Sequence, residues 1–398
     1  MRILYLSGLA SQVAISKALQ RNPDYSGYAM QKFNRLIVEG LVRNGHQVTA
    51  LSTFYLPGIG RGYHRKNEIE KGVNYQYISS PNNLPSRHVW MVLYCFFKVL
   101  IWGLAGKKDK VFMADVLNIS ACIGAVAASR LIGLRCVGVM TDMPGLMVHN
   151  GNSTQDKKKT GKGAFITRMN KSFLSKFSHY VFLTEQMNVV NIHNRPYIVM
   201  EGLVDADMQV PEMKEKSGKR IVLYAGALHE RYGLKLLVEG FMKTNLPDTE
   251  LWIYGAGSFA DELPEYNKKD SRILYKGIKP NSEVVEAELK ATLLVNPRPT
   301  HEEFTKYSFP SKNMEYMVSG TPLLTTMLPG MPLEYYPYVF LFDCDETVDG
   351  YSMVLQKVLS LPDETLRQKG IKAREWVLGN KNHISQTARI VDLIKAQK

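Results

Sequence analysis

The stretch YSFPSKNMEYMVSGTPLLTT, residues 307–326, carries the signals of a short helix set between a turn and a strand. Pro310 suits the first helical position, where its missing N–H costs nothing. Gly320 suits the left-handed residue just past the end, and Pro322 blocks continuation. The pattern predicts a helix over roughly 310–319 followed by the strand PLLTT. A helix start leaves several amides without acceptors and carries about half a positive charge, which makes it a seat for an anion. Ser308, Ser311 and Lys312 add donors or charge there. Glu315 lies three residues after Lys312 and so on the same face. A carboxylate able to accept from hydroxyls therefore follows a place fit for phosphate. The plainer alternative is that Glu315 only pairs with Lys312 on a solvated helix end.

Outward from this helix, apolar strands alternate with helices. Before it come RIVLYAG (220–226), a helix over 234–244, ELWIYGAG (250–257), RILYKG (272–277), a helix over 282–291 and TLLVNPR (292–298); after it comes YVFLFD (338–343). The first half repeats the scheme with RILYLSG (2–8), a loop, a helix over 29–44, GHQVTALST (45–53), KVFMADV (110–116), a helix over 120–132, RCVGVMTD (135–142), SHYVFLT (178–184), a helix over 185–192 and PYIVMEG (196–202). Strands buried on both faces and alternating with helices predict a parallel sheet covered on each side. The polar run DADMQVPEMKEKSGK (205–219) reads as a linker. The expectation is an α/β chain of two Rossmann-like, doubly wound domains, 1–202 and 203–375. Helices over 363–378 and 383–396 follow with no strand between them, and 376–398 is expected to pack back on the first domain.

Open parallel sheets bind ligands at the carboxyl ends of their strands. In the second half those ends carry Gly226 with His229 and Arg231 behind it, Gly255 and Gly257, Gly277 and Ile278, and Asn296 and Arg298. Glycines permit close backbone approach, and arginines fork onto phosphate oxygens. In the first half the corresponding residues are Ser7 and Gly8, Asp142, and Thr184 with Glu185; Asp142 also has a purely local use, capping the turn into Met143 and Pro144.

Composition fits this reading. The 398 residues carry a net charge of +13, which favours acidic partners such as phosphorylated small molecules or anionic lipid headgroups. No nucleic-acid-binding motif accompanies the charge. Cys95, Cys122, Cys136 and Cys344 are scattered, with no metal-ligand spacing, so core thiols in a reducing compartment and no structural zinc are expected. MRILYLSGLA reads as a first buried strand rather than a signal peptide. The apolar segment 89–106 contains Lys98 and is at the short limit for a membrane span. With Arg87, Lys107, Lys108, Lys110, Trp90 and Trp102 around it, the segment suits either a core helix or attachment to an anionic membrane surface. The basic loop DKKKTGKG (156–163) lacks the spacing of a phosphate-binding P-loop.

The sequence resembles the retaining GT-B glycosyltransferases of family 4, of the bacterial polysaccharide-biosynthesis type. The blocks GHQVTALS, MEGLVD and YAGALHERYGLKLLVEGF carry the resemblance, and SFPSKNMEYMVSGTPLLTT carries it most specifically. The resemblance implies two domains facing across a cleft, the second binding a nucleoside-diphosphate sugar and the first an acceptor, with no cofactor and no metal. It implies transfer of the sugar with retained configuration to a hydroxyl, here of a lipid-linked glycan, by a cytoplasmic protein peripheral on the inner face of the membrane. It places the diphosphate on the Phe309–Pro310–Ser311–Lys312 turn, the ribose on Glu315 and the base at Gly277 and Ile278. Gly226, Arg231, Gly255 and Arg298 complete the expected donor site, Asp142 is the expected active-site carboxylate, and the loop 21–32, with Ser26 and Gly27, is the expected acceptor contact. Four positions depart from the family pattern: Tyr307 stands for the first of its paired glutamates, Ala227 for an arginine, Tyr232 for a lysine and Thr141 for a histidine. Arg231 and Lys312 are assigned the missing cationic work, and Glu302 or Glu303 could replace the glutamate. Two alternatives share the layout: a non-hydrolysing sugar-nucleotide epimerase, and a catalytically degenerate binding subunit.

Overall fold

The computed structural model describes residues 1–21, 28–54, 67–81, 84–106, 109–143, 173–209, 212 and 218–396. These fall into two compact units, residues up to 143, 173–203 and 382–396 in the first and 204–381 in the second.

The first unit is built on an eight-stranded sheet of β1 (Arg2–Ser7), β2 (Gln47–Ser52), β3 (Glu68–Glu70), β4 (Val73–Tyr77), β5 (Lys110–Asp115), β6 (Arg135–Met140), β7 (His179–Phe182) and β8 (Tyr197–Val199), in the order β3-β4-β2-β1-β5-β6-β7-β8. Neighbours run parallel as expected, except that β3 is antiparallel to β4. That hairpin is not foreseen by the sequence reading. Its turn is Lys71 and Gly72, both left-handed at φ 47° and 78°, the geometry that matches the twist of a two-residue hairpin. A second difference is the helix α1 (Gln12–Arg21), where a loop was expected; the Ser11 hydroxyl accepts from Ala14 N–H at its start. The expected helix over 29–44 is α2 (Tyr28–Arg43), and residues 185–190 form a 3-10 turn rather than an α-helix. Ser26, Gly27 and the basic loop 156–163 lie outside the described residues.

The apolar segment is α3 (Leu84–Leu104), packed against α4 (Ile119–Leu131) so closely that a Cβ on Gly124 would lie 1.9 Å from the Val92 carbonyl oxygen. Cys95 and Val99 face that contact and are buried, whereas Val89, Trp90, Leu93, Phe97, Ile101 and Leu104 form an exposed stripe. Among the described residues, Ser86–Leu104 is the helix long and apolar enough to cross a membrane. Lys110 corrects the sequence reading: it is 3% exposed and donates through Nζ to the carbonyls of Trp102, Gly103 and Ala105, so it caps the end of α3 and is not available to an interface.

The second unit has a wholly parallel sheet of β9 (Arg220–Ala225), β10 (Thr249–Tyr254), β11 (Ile273–Gly277), β12 (Leu293–Asn296), β13 (Leu323–Thr326) and β14 (Phe340–Phe342), in the order β11-β10-β9-β12-β13-β14. Its helices are α5 (Leu234–Met242), α6 (Leu263–Lys269), α7 (Asn281–Lys290), α8 (Ser311–Ser319), α9 (Val348–Leu359) and α10 (Asp363–Asn380). Leu237 and Phe241 of α5 and Val354 and Leu355 of α9 close one face over Val222, Leu251, Leu293 and Leu324. α10 runs unbroken through residue 375, where the sequence reading ends the second domain, and the chain leaves this unit after Lys381. The last helix, α11 (His383–Lys395), packs on α2 in the first unit. A Cβ on Gly40 would stand 2.2 Å from the His383 carbonyl, and the Asn44 amide donates to Ile384 O and Thr387 Oγ1, both at 2.9 Å.

Candidate functional site

In the second unit the strand order reverses between β9 and β12, because the connection after β9 goes to one side and that after β11 returns to the other. A crevice opens at such a point. Here it is a cavity of about 130 Å³ lined by Tyr224, Ala225, Gly226 and Ala227 after β9, Asn296 and Arg298 after β12, Tyr232, and Pro310, Ser311, Lys312 and Tyr316 of α8.

Two tethers hold the start of α8 there. The buried Tyr316 hydroxyl meets both Ala225 N, at 2.9 Å, and Ala225 O, at 3.1 Å, and the Asn296 amide donates to Asn313 Oδ1 at 2.6 Å. Pro310 takes the capping position with φ −67°, one residue before the helix proper, and Gly320 ends it at φ 78°, as the sequence requires. Pro310, Ser311 and Lys312 at its start line the cavity, and the Asn313 amide is already bonded to the Pro310 carbonyl at 3.0 Å.

Arg231 and Arg298 share two aromatic rings. The Arg231 guanidinium lies 4.5 Å from the centre of Phe304, and that of Arg298 lies 5.0 Å from Tyr232 and 5.5 Å from Phe304. Stacking holds a guanidinium plane while leaving its N–H edge for other use. That edge is not consumed: Arg231 Nε and Nη1 and Arg298 Nε are buried with no hydrogen-bond partner among the described residues. Arg231 also stands 3.6 Å from Glu302, and burial lowers the Arg298 guanidinium from its ordinary value. An anion arriving here would offset a desolvation cost already incurred.

The other expected residues divide. Lys312 and Glu315 are paired at 2.8 Å, both partly exposed, so the simple ion pair exists in this state. Ser308 spends its hydroxyl on the Phe304 carbonyl, and the Phe309 ring packs on Tyr335 at 5.1 Å. Tyr307 closes the 3-10 turn 303–306 and does not line the cavity. Gly255 and Gly257 serve the fold: a Cβ at either would meet the carbonyl oxygen of Gly226, at 1.8 Å, or of Leu228, at 2.1 Å. Gly277, at φ 74° in open space, and the exposed Ile278 stand at the end of β11, outside the cavity lining.

In the first unit the switch point lies between β1 and β5. Asp142 follows β6, one strand away, and its Oδ1 accepts from Met143 N at 3.1 Å, the local cap anticipated as its plainer use; burial raises its carboxyl above the ordinary value. Sequence reasoning missed Asp115, the last residue of β5, because it sits inside the strand KVFMADV rather than after it. Asp115 is fully buried, accepts from Leu117 N at 3.1 Å and the Asn34 amide at 3.2 Å, and is pushed up to about 6 by burial. The four cysteines are free thiols, three of them buried.

Residues 206–376 match the model of the glycosyl transferases group 1. No curated protein matches the chain in sequence. Among solved structures, the chain is similar to the lipopolysaccharide outer core galactosyltransferase WaaB (14% identity, TM-score 0.63), to sucrose-phosphate synthase from Thermosynechococcus elongatus (13%, 0.64), and to HepE from Anabaena, solved with UDP and glucose (11%, 0.60), in each case over 100% of both chains. The switch-point cavity falls wholly within the matched residues. The chain has the two-unit GT-B fold of these glycosyltransferases, and residues 206–376 of its second unit match the glycosyl transferases group 1.

Proposed function

We propose that the chain moves a sugar from a nucleoside-diphosphate sugar to an acceptor hydroxyl, with retained anomeric configuration and without a metal ion. The observation that carries this reading is Arg298, with a buried N–H lacking an acceptor, on a cavity that also takes in Lys312 and the start of α8, while Arg231, with two more such N–H groups, stacks on the same rings beside it. Each unmet buried donor costs about 1–3 kcal/mol, so the site gains most from a ligand rich in acceptor oxygens. A diphosphate is such a ligand and is also the leaving group. As the glycosidic bond breaks, negative charge grows on its oxygens, and fixed cations and amides stabilise that charge without reorganising. Arg231, Arg298 and Lys312 supply the charge a divalent ion would otherwise bring, and Arg231 and Lys312 stand in for the cations missing at Ala227 and Tyr232. Lys312 would leave Glu315 for the phosphate, freeing the carboxylate for the ribose hydroxyls. HepE, a structural neighbour, binds UDP and glucose, which supports this class of donor. A thermal-shift screen over a panel of sugar nucleotides tests the reading. One of them is expected to raise the melting temperature by a few degrees at a hundredfold excess over its dissociation constant. No shift with any member of a panel spanning the common bases and sugars would sink it.

We assign the acceptor to the lipid-linked glycans of surface polysaccharide or O-antigen assembly, with Asp142 as active-site carboxylate and the chain peripheral on the inner face of the cytoplasmic membrane. The support is α3, whose exposed stripe of Trp90, Leu93, Phe97, Ile101 and Leu104 runs beside Arg87 and Lys98 on a chain of net charge +13. WaaB, of lipopolysaccharide outer core synthesis, shares the fold. The double change Phe97→Glu and Ile101→Glu is expected to abolish co-sedimentation with phosphatidylglycerol vesicles while leaving the melting temperature unchanged. Undiminished sedimentation would remove α3 from the account.

A further inference from the structure

Behind the Lys312–Glu315 pair lies a third ionisable group. Glu288, on α7, is 3% exposed, and its Oε1 is buried with no hydrogen-bond partner among the described residues. Its carbonyl accepts from Thr321 Oγ1 at 2.8 Å, which fixes this part of α7 against the chain leaving α8. We propose that Glu288 is a positioning residue of the donor site, whose carboxyl sets whether Lys312 turns outward to a bound diphosphate or inward toward α7. The inference rests on the donor-site reading above and extends it to a residue outside the cavity lining.

The charges around Glu288 support it. On α8 it faces Lys312, which favours its ionised form, Glu315, which opposes it, and the Tyr316 hydroxyl, engaged with Ala225. On α7 itself, Glu286 pairs with Lys290 and Glu283 with Lys279, all of them well exposed. Lys312 is therefore the cation Glu288 has to attract. Burial pushes the Glu288 carboxyl up to about 7, so it changes charge within the working range. Neutral Glu288 leaves Lys312 to the ligand; ionised Glu288 competes for Lys312 and repels Glu315. By linkage, a diphosphate that prefers the protonated protein must raise the pH at which Glu288 titrates.

Binding of inorganic pyrophosphate and of UDP, measured by calorimetry on the full chain at pH 6 and pH 8.5, tests this against Glu288→Gln. The variant keeps the volume and stays neutral. Pyrophosphate itself titrates in this range, so the readout is the ratio of wild-type to variant affinity at each pH. That ratio is expected near one at pH 6 and to fall about fivefold by pH 8.5, the scale of one added charge a few residues away. A ratio constant with pH would overturn the proposal while leaving the donor site intact. Absence of binding by either protein at either pH would instead overturn the donor-site reading and this proposal with it. Should the variant not fold, the carboxyl carbon of Glu288 can be followed by NMR in the wild type, where added pyrophosphate is expected to raise its titration midpoint. An unmoved midpoint counts against the proposal.

Discussion

Replacing Arg298 by Met is expected to lower kcat/KM for the nucleotide-sugar donor by about a hundredfold or more while leaving the folded state as stable as before, or more so. The two effects have different origins. Arg298 lies half-buried against Tyr232 and Phe304, with its Nε buried and unmatched among the described residues, and desolvation lowers its guanidinium from the ordinary value. In the unliganded protein it is therefore a cost, and an unbranched apolar side chain of similar length would fill the space over the two rings without that cost. In the proposed reaction the same guanidinium would face charge developing on the departing diphosphate, where removing one fixed donor typically costs about 3 kcal/mol at the transition state. Steady-state kinetics and chemical denaturation on the same variant give the answer. Parallel loss of activity and stability would make Arg298 a structural residue. Unchanged kcat/KM would remove it from the donor site. Arg231→Met is expected to act in the same direction but less cleanly, because it leaves Glu302, now 3.6 Å from Arg231, without its cation.

Arg298 also marks where the sequence was legible and where it was not. Strand order is the consequence of alternation and of right-handed crossovers, so the residues at strand ends could be found by reading each apolar run to its last residue. Gly226, Asn296, Arg298 and the α8 start were all within reach of that rule, and the proline and glycine around 311–319 fix the helix to within one residue. What a linear reading cannot supply is the use to which a strand-end residue is put. Gly226 lines the cavity, whereas Gly255 and Gly257 exist so that neighbouring loops can touch, yet all three look alike in sequence. Phe309 belongs to the expected phosphate turn, but its ring is spent on Tyr335. Asp115 escaped because the apolar run continues past it to Val116 and hides where the strand ends, and Glu288 because it sits within α7, where an isolated carboxylate reads as solvated until burial is known. The β3–β4 hairpin escaped because Lys-Gly is a weaker turn signal than Asn-Gly, although both of its residues are left-handed. Lys110 was misassigned for a related reason: a lysine just beyond an apolar helix fits membrane contact and carbonyl capping equally, and only its burial under the end of α3 decides.

Gly255→Ala is expected to destabilise the second unit by roughly 3 kcal/mol or more, lowering its melting temperature by about 6–12 °C. Two penalties coincide. The residue has φ 128°, a conformation that side chains rarely adopt, and a Cβ there would stand 1.8 Å from the Gly226 carbonyl oxygen and 3.5 Å from its nitrogen. The obstacle is backbone, so no side-chain rotation relieves it. The backbone is itself pinned, since Gly226 N–H donates to Tyr254 O at 3.1 Å and Gly255 N–H to Gly277 O at 3.0 Å. The loop after β9 must move, and with it one wall of the cavity. Gly277→Ala is the matched control: it also has positive φ, at 74°, but a Cβ there meets nothing within 4 Å, so only the conformational cost of about 1 kcal/mol applies. If Gly255 serves the packing of the two loops, its variant loses stability first and donor affinity only as a consequence, and Gly277→Ala retains both nearly intact. If Gly255→Ala instead melts at the wild-type temperature yet no longer binds a sugar nucleotide, the glycine makes room for ligand rather than for Gly226, and the division between folding and binding glycines at this sheet edge fails.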